Sequence, residues 1–194
     1  MILASGSPQR RAILEQLGVS YELFVPDVEE LTAGPPEELV LENAYRKAFA
    51  AGAGLPARPS SSPSSRDADV LILGVDTIVV LGQRVYGKPA DRSDAAETLR
   101  ALAGRTHRVL SGVCVIERDQ VRTAAAVTKV HFNQFDERLL EWYLDSGEWQ
   151  GRAGGYAIQG RGAALVSAIE GDYLNVVGLP VKTLQDLIPN LLLS

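Results

Sequence analysis

The chain has 194 residues, of which 22% are charged, and a net charge of −5. This composition is typical of a globular protein, and the acidic balance argues against binding to nucleic acid or an anionic membrane through overall charge. The chain has no apolar run near the ~20 residues that span a bilayer, and its single cysteine, Cys114, excludes a disulfide framework within it. We expect a cytoplasmic protein with neither nucleic-acid nor membrane partners.

The N-terminal half predicts alternating strands and helices. Residues 2–4 form a short apolar strand, and Ser7-Pro8 is the favoured pair for starting a helix, which Gly18 ends. A second strand follows at 21–26 and a second helix at 37–52. Residues 55–69, rich in proline and serine, predict a flexible loop inside a single domain covering 1–194.

Beyond that loop, an apolar and largely β-branched run predicts a buried strand over 70–75, with Asp76 at its carboxyl end. The pattern next predicts a hairpin of 78–81 and 84–86, a helix over 93–103 and two long strands over 106–116 and 121–132. A helix from Asp136 to about Ser146, a strand-like stretch over 154–159 and a helix over 181–193 complete the chain. Mixed α/β is the predicted fold class.

The familiar signatures of several enzyme classes are missing from the sequence. It contains no G-x-x-x-x-G-K-[ST] loop, no H-E-x-x-H or C-x-x-C spacing and no serine in a nucleophile-elbow context. Covalent catalysis and redox chemistry therefore have no candidate residues. We do not expect a zinc site, because His107 and His131 lie in predicted strands without ligand spacing.

Asp76 is the strongest candidate for chemistry. A carboxylate at the end of a buried strand needs a cation, a metal ion or a water to activate. We interpret Asp76 as a general base or a metal ligand, and the alternative is a carboxylate that merely caps a turn.

Other residues indicate a phosphate site. Ser5, Ser7 and Arg10 surround a helix N-terminus, whose free N–H groups suit an anion, and Lys88 lies on a stiff Gly-Lys-Pro turn. Taken singly, Ser7 is explained as a helix cap and Lys88 as a solvated loop lysine. Lys47 and Glu30 are weaker candidates, for which a solvated surface position is the simpler explanation.

The sequence resembles the Maf family of septum-formation-inhibitor-like nucleotide pyrophosphatases over essentially its full length. The matching elements include ILASGSPQRR at 2–11, GVDT at 74–77, GKP at 87–89 and GGYAIQG at 154–160. Further matching stretches occur in the family's order at 26–30, 43–48, 102–107, 146–148, 169–173 and 176–180.

The resemblance implies an inosine-triphosphatase-like fold, with an elongated mixed sheet and two lobes around a central cleft. It implies hydrolysis of a nucleoside triphosphate to the monophosphate and pyrophosphate, with a divalent cation, Mg²⁺ or Mn²⁺. Asp76 falls on the family's general-base position, and Glu30 is implied to help it hold the metal. The phosphate-contacting positions are Ser5, Ser7, Arg10, Lys47 and Lys88, and a homodimer is plausible by resemblance.

Three positions bear on the base that is recognised. Thr77 and Gln159 match the branch of the family that prefers dTTP and UTP, and a glutamine amide suits the N3–H and O4 edge of uracil or thymine. Gln9 departs from that branch, which usually has arginine there, so a relaxed base preference is the alternative. A nucleotide-binding regulator of cell division that does not require turnover is the alternative from another functional class.

Overall fold

The computed structural model describes residues 1–54 and 70–192, and the predicted loop at 55–69 lies outside this range. The elements in chain order are β1 Ile2–Ala4, α1 Pro8–Gln16, β2 Glu22–Phe24, α2 Pro36–Ala53, β3 Leu71–Leu81, β4 Arg84–Tyr86, α3 Arg92–Leu102, β5 Thr106–Glu117, β6 Gln120–Phe132, α4 Glu137–Leu144, β7 Val166–Glu170, α5 Tyr173–Val177 and α6 Val181–Leu187.

The seven strands form one mixed sheet. Its order is β2-β1-β3-β5-β6-β7, with β4 paired to the distal end of β3. Strand β1 runs parallel to β2 and β3, whereas β3, β5, β6 and β7 are antiparallel neighbours. The predicted mixed α/β class is therefore confirmed.

Strand β3 is shared by two parts of the sheet. β5 follows one of its edges from Leu71 to Val80. On the other edge, β1 pairs as far as Gly74 and β4 begins at Val79, so residues 75–78 pair with neither. The prediction that Asp76 ends a strand was wrong, because the neighbouring strand β1 ends there while β3 continues.

Alternation along β3 places consecutive side chains on opposite faces. Ile72 packs with Ala44 and Ala48 of α2 on one face, whereas Leu73 packs with Leu14 of α1 on the other. Asp76 has the parity of Ile72 and therefore faces α2. Thr77 has the parity of Leu73 and therefore faces α1.

Two apolar clusters lie on the α1 face of the sheet. One contains Leu3, Leu14 and Leu73 with Leu184 of α6. The other lies further along β3 and gathers α3, α4 and the segment around Tyr156. These clusters form the cores of the two predicted lobes, and residues 76–78 lie between Val75 of the first cluster and Val79 of the second.

Helix α2 lies unusually close to the sheet at two glycines. A Cβ on Gly74 would stand 2.2 Å from the Ala44 carbonyl oxygen, and one on Gly112 would stand 2.1 Å from the Val40 carbonyl oxygen. Gly112 pairs with Asp76 across β3 and β5. The missing side chains therefore let α2 approach the strand that carries Asp76.

Several predicted elements differ from the structure. Residues 154–159 do not form the predicted strand. A short 3₁₀ helix covers Ala153–Gly155 and a turn follows at 158–160, because Gly154 and Gly155 have φ of 70° and 69°, outside the range of a strand. Helix α6 ends at Leu187 and not at the predicted residue 193. Pro189 disfavours a helical conformation at the residue before it, Ile188. Strand β7 and helix α5 were not predicted, because both are short and carry no clear periodicity.

None of the helices in the described residues is long and apolar enough to cross a membrane. That residues 1–194 form a single domain stays a prediction.

Candidate active site

A cavity of about 760 Å³ opens between the two lobes. It lies beside residues 75–78 of β3, where the edge of the strand opposite β5 has no partner. This volume is within the range of small-molecule sites. All ten residues predicted as site residues line it: Ser5, Ser7, Gln9, Arg10, Glu30, Lys47, Asp76, Thr77, Lys88 and Gln159.

Lys47 joins the two predicted metal ligands. Its Nζ lies 2.6 Å from Asp76 Oδ1 and 2.7 Å from Glu30 Oε1. Lys47 and Asp76 are both buried, whereas the Glu30 side chain is 44% exposed. A buried ammonium thus pairs with a buried carboxylate, so neither charge is left without a partner in the protein interior.

Asn43, one helical turn before Lys47 on α2, was not predicted as a site residue. Its Nδ2 donates to Asp76 Oδ2 at 3.2 Å and to the Leu31 carbonyl oxygen at 3.0 Å, and its Oδ1 accepts from the Leu31 N–H at 2.8 Å. Asn43 therefore holds both Asp76 and the segment that carries Glu30. The sequence shows only that Asn43 and Lys47 are four residues apart and therefore on the same face of a helix.

Arg10 connects the start of α1 to β3. Its Nε donates to the Gly178 carbonyl oxygen at 2.8 Å, Nη1 to Ser5 Oγ at 2.8 Å and Nη2 to Thr77 Oγ1 at 3.1 Å. Burial lowers the pKa of Arg10, and the charges of Asp76 and Glu30 oppose this shift.

Two hydroxyls complete the Arg10 network. Thr77 Oγ1 shares a hydrogen bond of 2.8 Å with Ser111 Oγ on β5, and Ser5 Oγ accepts from the Ser7 N–H at 3.2 Å. Ser7 occupies the N-cap position of α1, but its hydroxyl makes no capping bond and lies 2.9 Å from the Gln9 amide. The helix-cap explanation therefore does not account for the Ser7 hydroxyl.

Lys88 and Gln159 line the cavity from the second lobe. Within the described residues the Lys88 ammonium has no ion-pair or hydrogen-bond partner, so its charge is available to a ligand. Gln159 is exposed, while the backbone on either side of it is fixed. The Ala157 N–H donates to Tyr143 Oη at 3.0 Å, and the Arg161 N–H donates to Glu148 Oε2 at 2.7 Å.

Gly160 explains how Glu148 reaches this loop. A Cβ at Gly160 would stand 2.4 Å from Glu148 Oε2, so a side chain there would displace the carboxylate that holds Arg161. The packing of Glu148 against this loop therefore explains why a glycine follows Gln159.

His107 supports the wall of the cavity from the core of the second lobe. It is 1% exposed, and its Nε2 shares a hydrogen bond of 2.8 Å with the hydroxyl of Tyr156, which lines the cavity. Burial lowers the His107 pKa from 6.5 to about 4. The imidazole is therefore neutral at neutral pH.

This shift predicts a loss of stability in acid. Between pH 6.5 and 4 the unfolded chain binds the His107 proton and the folded chain does not, so the free energy of unfolding falls as the pH is lowered through this window. The slope approaches ~1.4 kcal/mol per pH unit. Urea unfolding at pH 7.5, 6 and 5 should show a shallower fall for His107→Gln than for the wild type. His131→Gln, on the partly buried histidine of β6, is the comparison, and it should keep most of the slope because burial is the larger cause of the His107 shift and the His131 charge the smaller one. Equal slopes for His107→Gln and the wild type would contradict the prediction.

The fold and site together define an α/β protein with a charged small-molecule cleft between two lobes. The chain belongs to the Maf family, whose pattern, described as a Maf-like protein, matches residues 1–191. The predicted family membership is confirmed.

Relatives with similar sequences carry a more specific name. The chain is 43% identical over 188 residues to a dTTP/UTP pyrophosphatase of Symbiobacterium thermophilum. This alignment covers 95% of this chain and 91% of the relative. The chain is 43% identical over 192 residues to one of Pelotomaculum thermopropionicum (97% and 94% covered) and 38% identical over 192 residues to one of Pyrococcus furiosus (97% and 93% covered).

Proposed function

We propose that this protein is an enzyme that hydrolyses nucleoside triphosphates, dTTP and UTP first among them, to the monophosphate and pyrophosphate. The observation that carries the proposal is the buried contact of Asp76 with Lys47, in a cavity also lined by Arg10 and Lys88. A general base and several cations around one cavity are the groups that hydrolysis of a phosphoanhydride requires. The names of the relatives support the same substrate class.

In this mechanism Asp76 orients a water molecule and accepts one of its protons. The water oxygen forms a bond to the α-phosphorus while the bond from that phosphorus to the bridging oxygen of the pyrophosphate breaks. Lys47 pairs with the Asp76 carboxylate before the reaction, and Asn43 fixes the direction of that carboxylate. Lys88 and the hydroxyls and N–H groups at the start of α1 stabilise the negative charge that develops on the departing pyrophosphate.

A divalent cation, Mg²⁺ or Mn²⁺, is part of the proposal. The described residues contain no group of three or more metal-ligating side chains. The carboxylates of Glu30 and Asp76 nevertheless face the same positive group, since Lys47 Nζ lies 2.7 Å from Glu30 Oε1 and 2.6 Å from Asp76 Oδ1. One or two carboxylates together with substrate phosphates suit Mg²⁺. The residues therefore fit a cation that arrives with the nucleotide, and such a cation offsets phosphate charge when bound.

The nucleotide is the proposed small-molecule partner. A homodimer, a cytoplasmic location and the absence of nucleic-acid or membrane partners stay predictions. The cell-division regulator also stays open, and turnover is the measurement that separates it from the enzyme.

The decisive experiment is pyrophosphate release by the purified protein with Mg²⁺ or Mn²⁺. We expect release from dTTP and UTP that exceeds release from CTP, GTP and 7-methyl-GTP. Gln159→Ala should lower kcat/KM for dTTP about tenfold to hundredfold, because the base edge loses two hydrogen bonds worth ~0.5–1.5 kcal/mol each. Gln150→Ala, in the preceding exposed turn, is the matched control. An equal rate on all five nucleotides would support relaxed specificity instead, and no release from any of them would favour the regulator.

A further inference from the structure

One cation lining the cavity was not predicted from the sequence. Arg152 lies on the second lobe, directly after Gly151, and its side chain is partly buried. Within residues 1–54 and 70–192 it forms no ion pair with a carboxylate. Burial lowers the pKa of Arg152, and the charges of Tyr143 and Glu148 oppose this shift from beyond ion-pair distance. A partly desolvated guanidinium with no carboxylate in direct contact, at the wall of a cavity, is suited to an anionic ligand.

Arg152 meets Gln9 across the cleft. With its amide oxygen turned toward the second lobe, Gln9 accepts from Arg152 Nη1 at 2.7 Å and from Nη2 at 3.1 Å, and its amide nitrogen donates to Ser7 Oγ at 2.9 Å. This orientation satisfies all three groups, whereas the opposite one places the amide N–H groups against a cation. Gln9 therefore links Arg152 to the start of α1.

Arg152 also belongs to the same packed unit as Lys88. The Gly154 N–H donates to the Gly87 carbonyl oxygen at 2.9 Å, and the position of a Cβ on Gly155 would be 3.1 Å from Pro89. The turns that carry Arg152 and Lys88 thus hold each other. Among the described residues that line the cavity, four are cations. Lys47 pairs with Glu30 and Asp76, and each of the three nitrogens of Arg10 donates to a protein oxygen. Within the described part of the chain, Lys88 and Arg152 have fewer partners: none for Lys88, and the neutral amide of Gln9 for Arg152.

We propose that Arg152 is a phosphate-binding residue of this site, which Gln9 holds in position through a neutral hydrogen-bonded contact. The inference rests on the proposed function for the identity of the ligand as a polyphosphate. It also explains how the site can have Gln9 where the resemblance leads one to expect arginine, because Arg152 supplies a positive charge from the opposite lobe. A neutral amide at position 9 holds the guanidinium without cancelling its charge.

Binding of inorganic tripolyphosphate, measured by calorimetry with Mg²⁺, tests this without requiring turnover. We expect Arg152→Gln to weaken binding about tenfold to hundredfold, as for the loss of a charge-assisted hydrogen bond. Gln9→Glu should weaken binding to a similar extent, because the new carboxylate pairs with Arg152. Arg138→Gln, on an exposed arginine of the same lobe, should bind as the wild type does.

Gln9→Ala distinguishes two roles for Arg152: a residue that binds phosphate, and a residue that only links the two lobes. If Arg152 binds phosphate, this variant keeps the positive charge and loses only its positioning, so it should lose less affinity than Arg152→Gln does. If Arg152 only ties the lobes together, Gln9→Ala and Arg152→Gln lose the same amount, and the proposal is overturned. Gln9→Glu and Gln9→Ala also keep the test decisive if Arg152→Gln does not fold.

Tripolyphosphate affinity in Arg152→Gln equal to that of the wild type would overturn the proposal, as would the absence of binding to the wild type. Binding that depends on Arg152 in a protein that releases no pyrophosphate from nucleotides would support this inference and reject the proposed function.

Discussion

Asp76→Asn is expected to fold and to lose turnover by a factor of about 10²–10⁴, the usual contribution of a positioned general base. The substitution keeps the shape of the side chain and removes the charge that accepts a proton. Breaking a buried ion pair commonly destabilises a protein by ~3–5 kcal/mol, but Lys47 keeps its contact with Glu30 at 2.7 Å, so we expect a smaller cost here. Pyrophosphate release from dTTP is the readout, with thermal unfolding to confirm the fold.

The control for this variant is Asp186→Asn on α6, an exposed aspartate whose contact is with Lys182 at 3.3 Å. It should keep both activity and stability, since exposed pairs contribute little. Near-normal turnover in a folded Asp76→Asn protein would refute the assignment of the base.

Gly112→Ala is expected to damage stability and activity together. The new Cβ would lie 2.1 Å from the Val40 carbonyl oxygen and 2.4 Å from its carbon, so α2 must move away from β5. Overpacking of this kind costs ~1–3 kcal/mol, which corresponds to a fall of about 3–10 °C in Tm for a chain of this size. Because α2 carries Lys47 and Asn43, a shift of about 1 Å should also lower kcat/KM about tenfold to hundredfold.

Gly87→Ala is the matched control for stability, because a Cβ there meets nothing within 4 Å and its backbone does not have a positive φ. Its Tm should stay within about 2 °C of the wild type, the effect of a typical surface substitution. A Tm for Gly112→Ala as high as that of Gly87→Ala would mean that α2 does not contact the sheet as closely as the glycine geometry indicates.

The sequence predicted the long strands and helices well, because their apolar periodicity is determined locally. Strands β5 and β6 were predicted to within a residue at most of their ends, and the hairpin around Gly82 was found from its turn. Residues 154–159 were not, since the left-handed glycines and the packing against Val79 that they permit depend on the tertiary structure. The same limit applies to Asp76, whose place opposite the end of β1 is a property of strand pairing.

The predicted site residues line one cavity, but the sequence did not reveal how they contact one another. Lys47 was one of the two weakest candidates, with a solvated surface position as its simplest explanation, and it is the buried centre of the ion-pair cluster. Asn43 and Ser111 were missed because an isolated polar residue in an amphipathic pattern carries no signal of its partner. Arg152 was missed because its contact with Gln9 joins positions 143 residues apart.

The unbroken course of β3 through both lobes bears on how the cleft admits its ligand. Where two domains are joined only by a loop, a ligand is commonly enclosed by rotation of one domain about that loop. Here β5 follows β3 on its far edge along nearly its whole length, so such a rotation would have to break the ladder of hydrogen bonds between them. We therefore expect the spacing between the two walls to be set before the ligand arrives, and adaptation to different bases to depend on the rotamers of side chains such as Gln159.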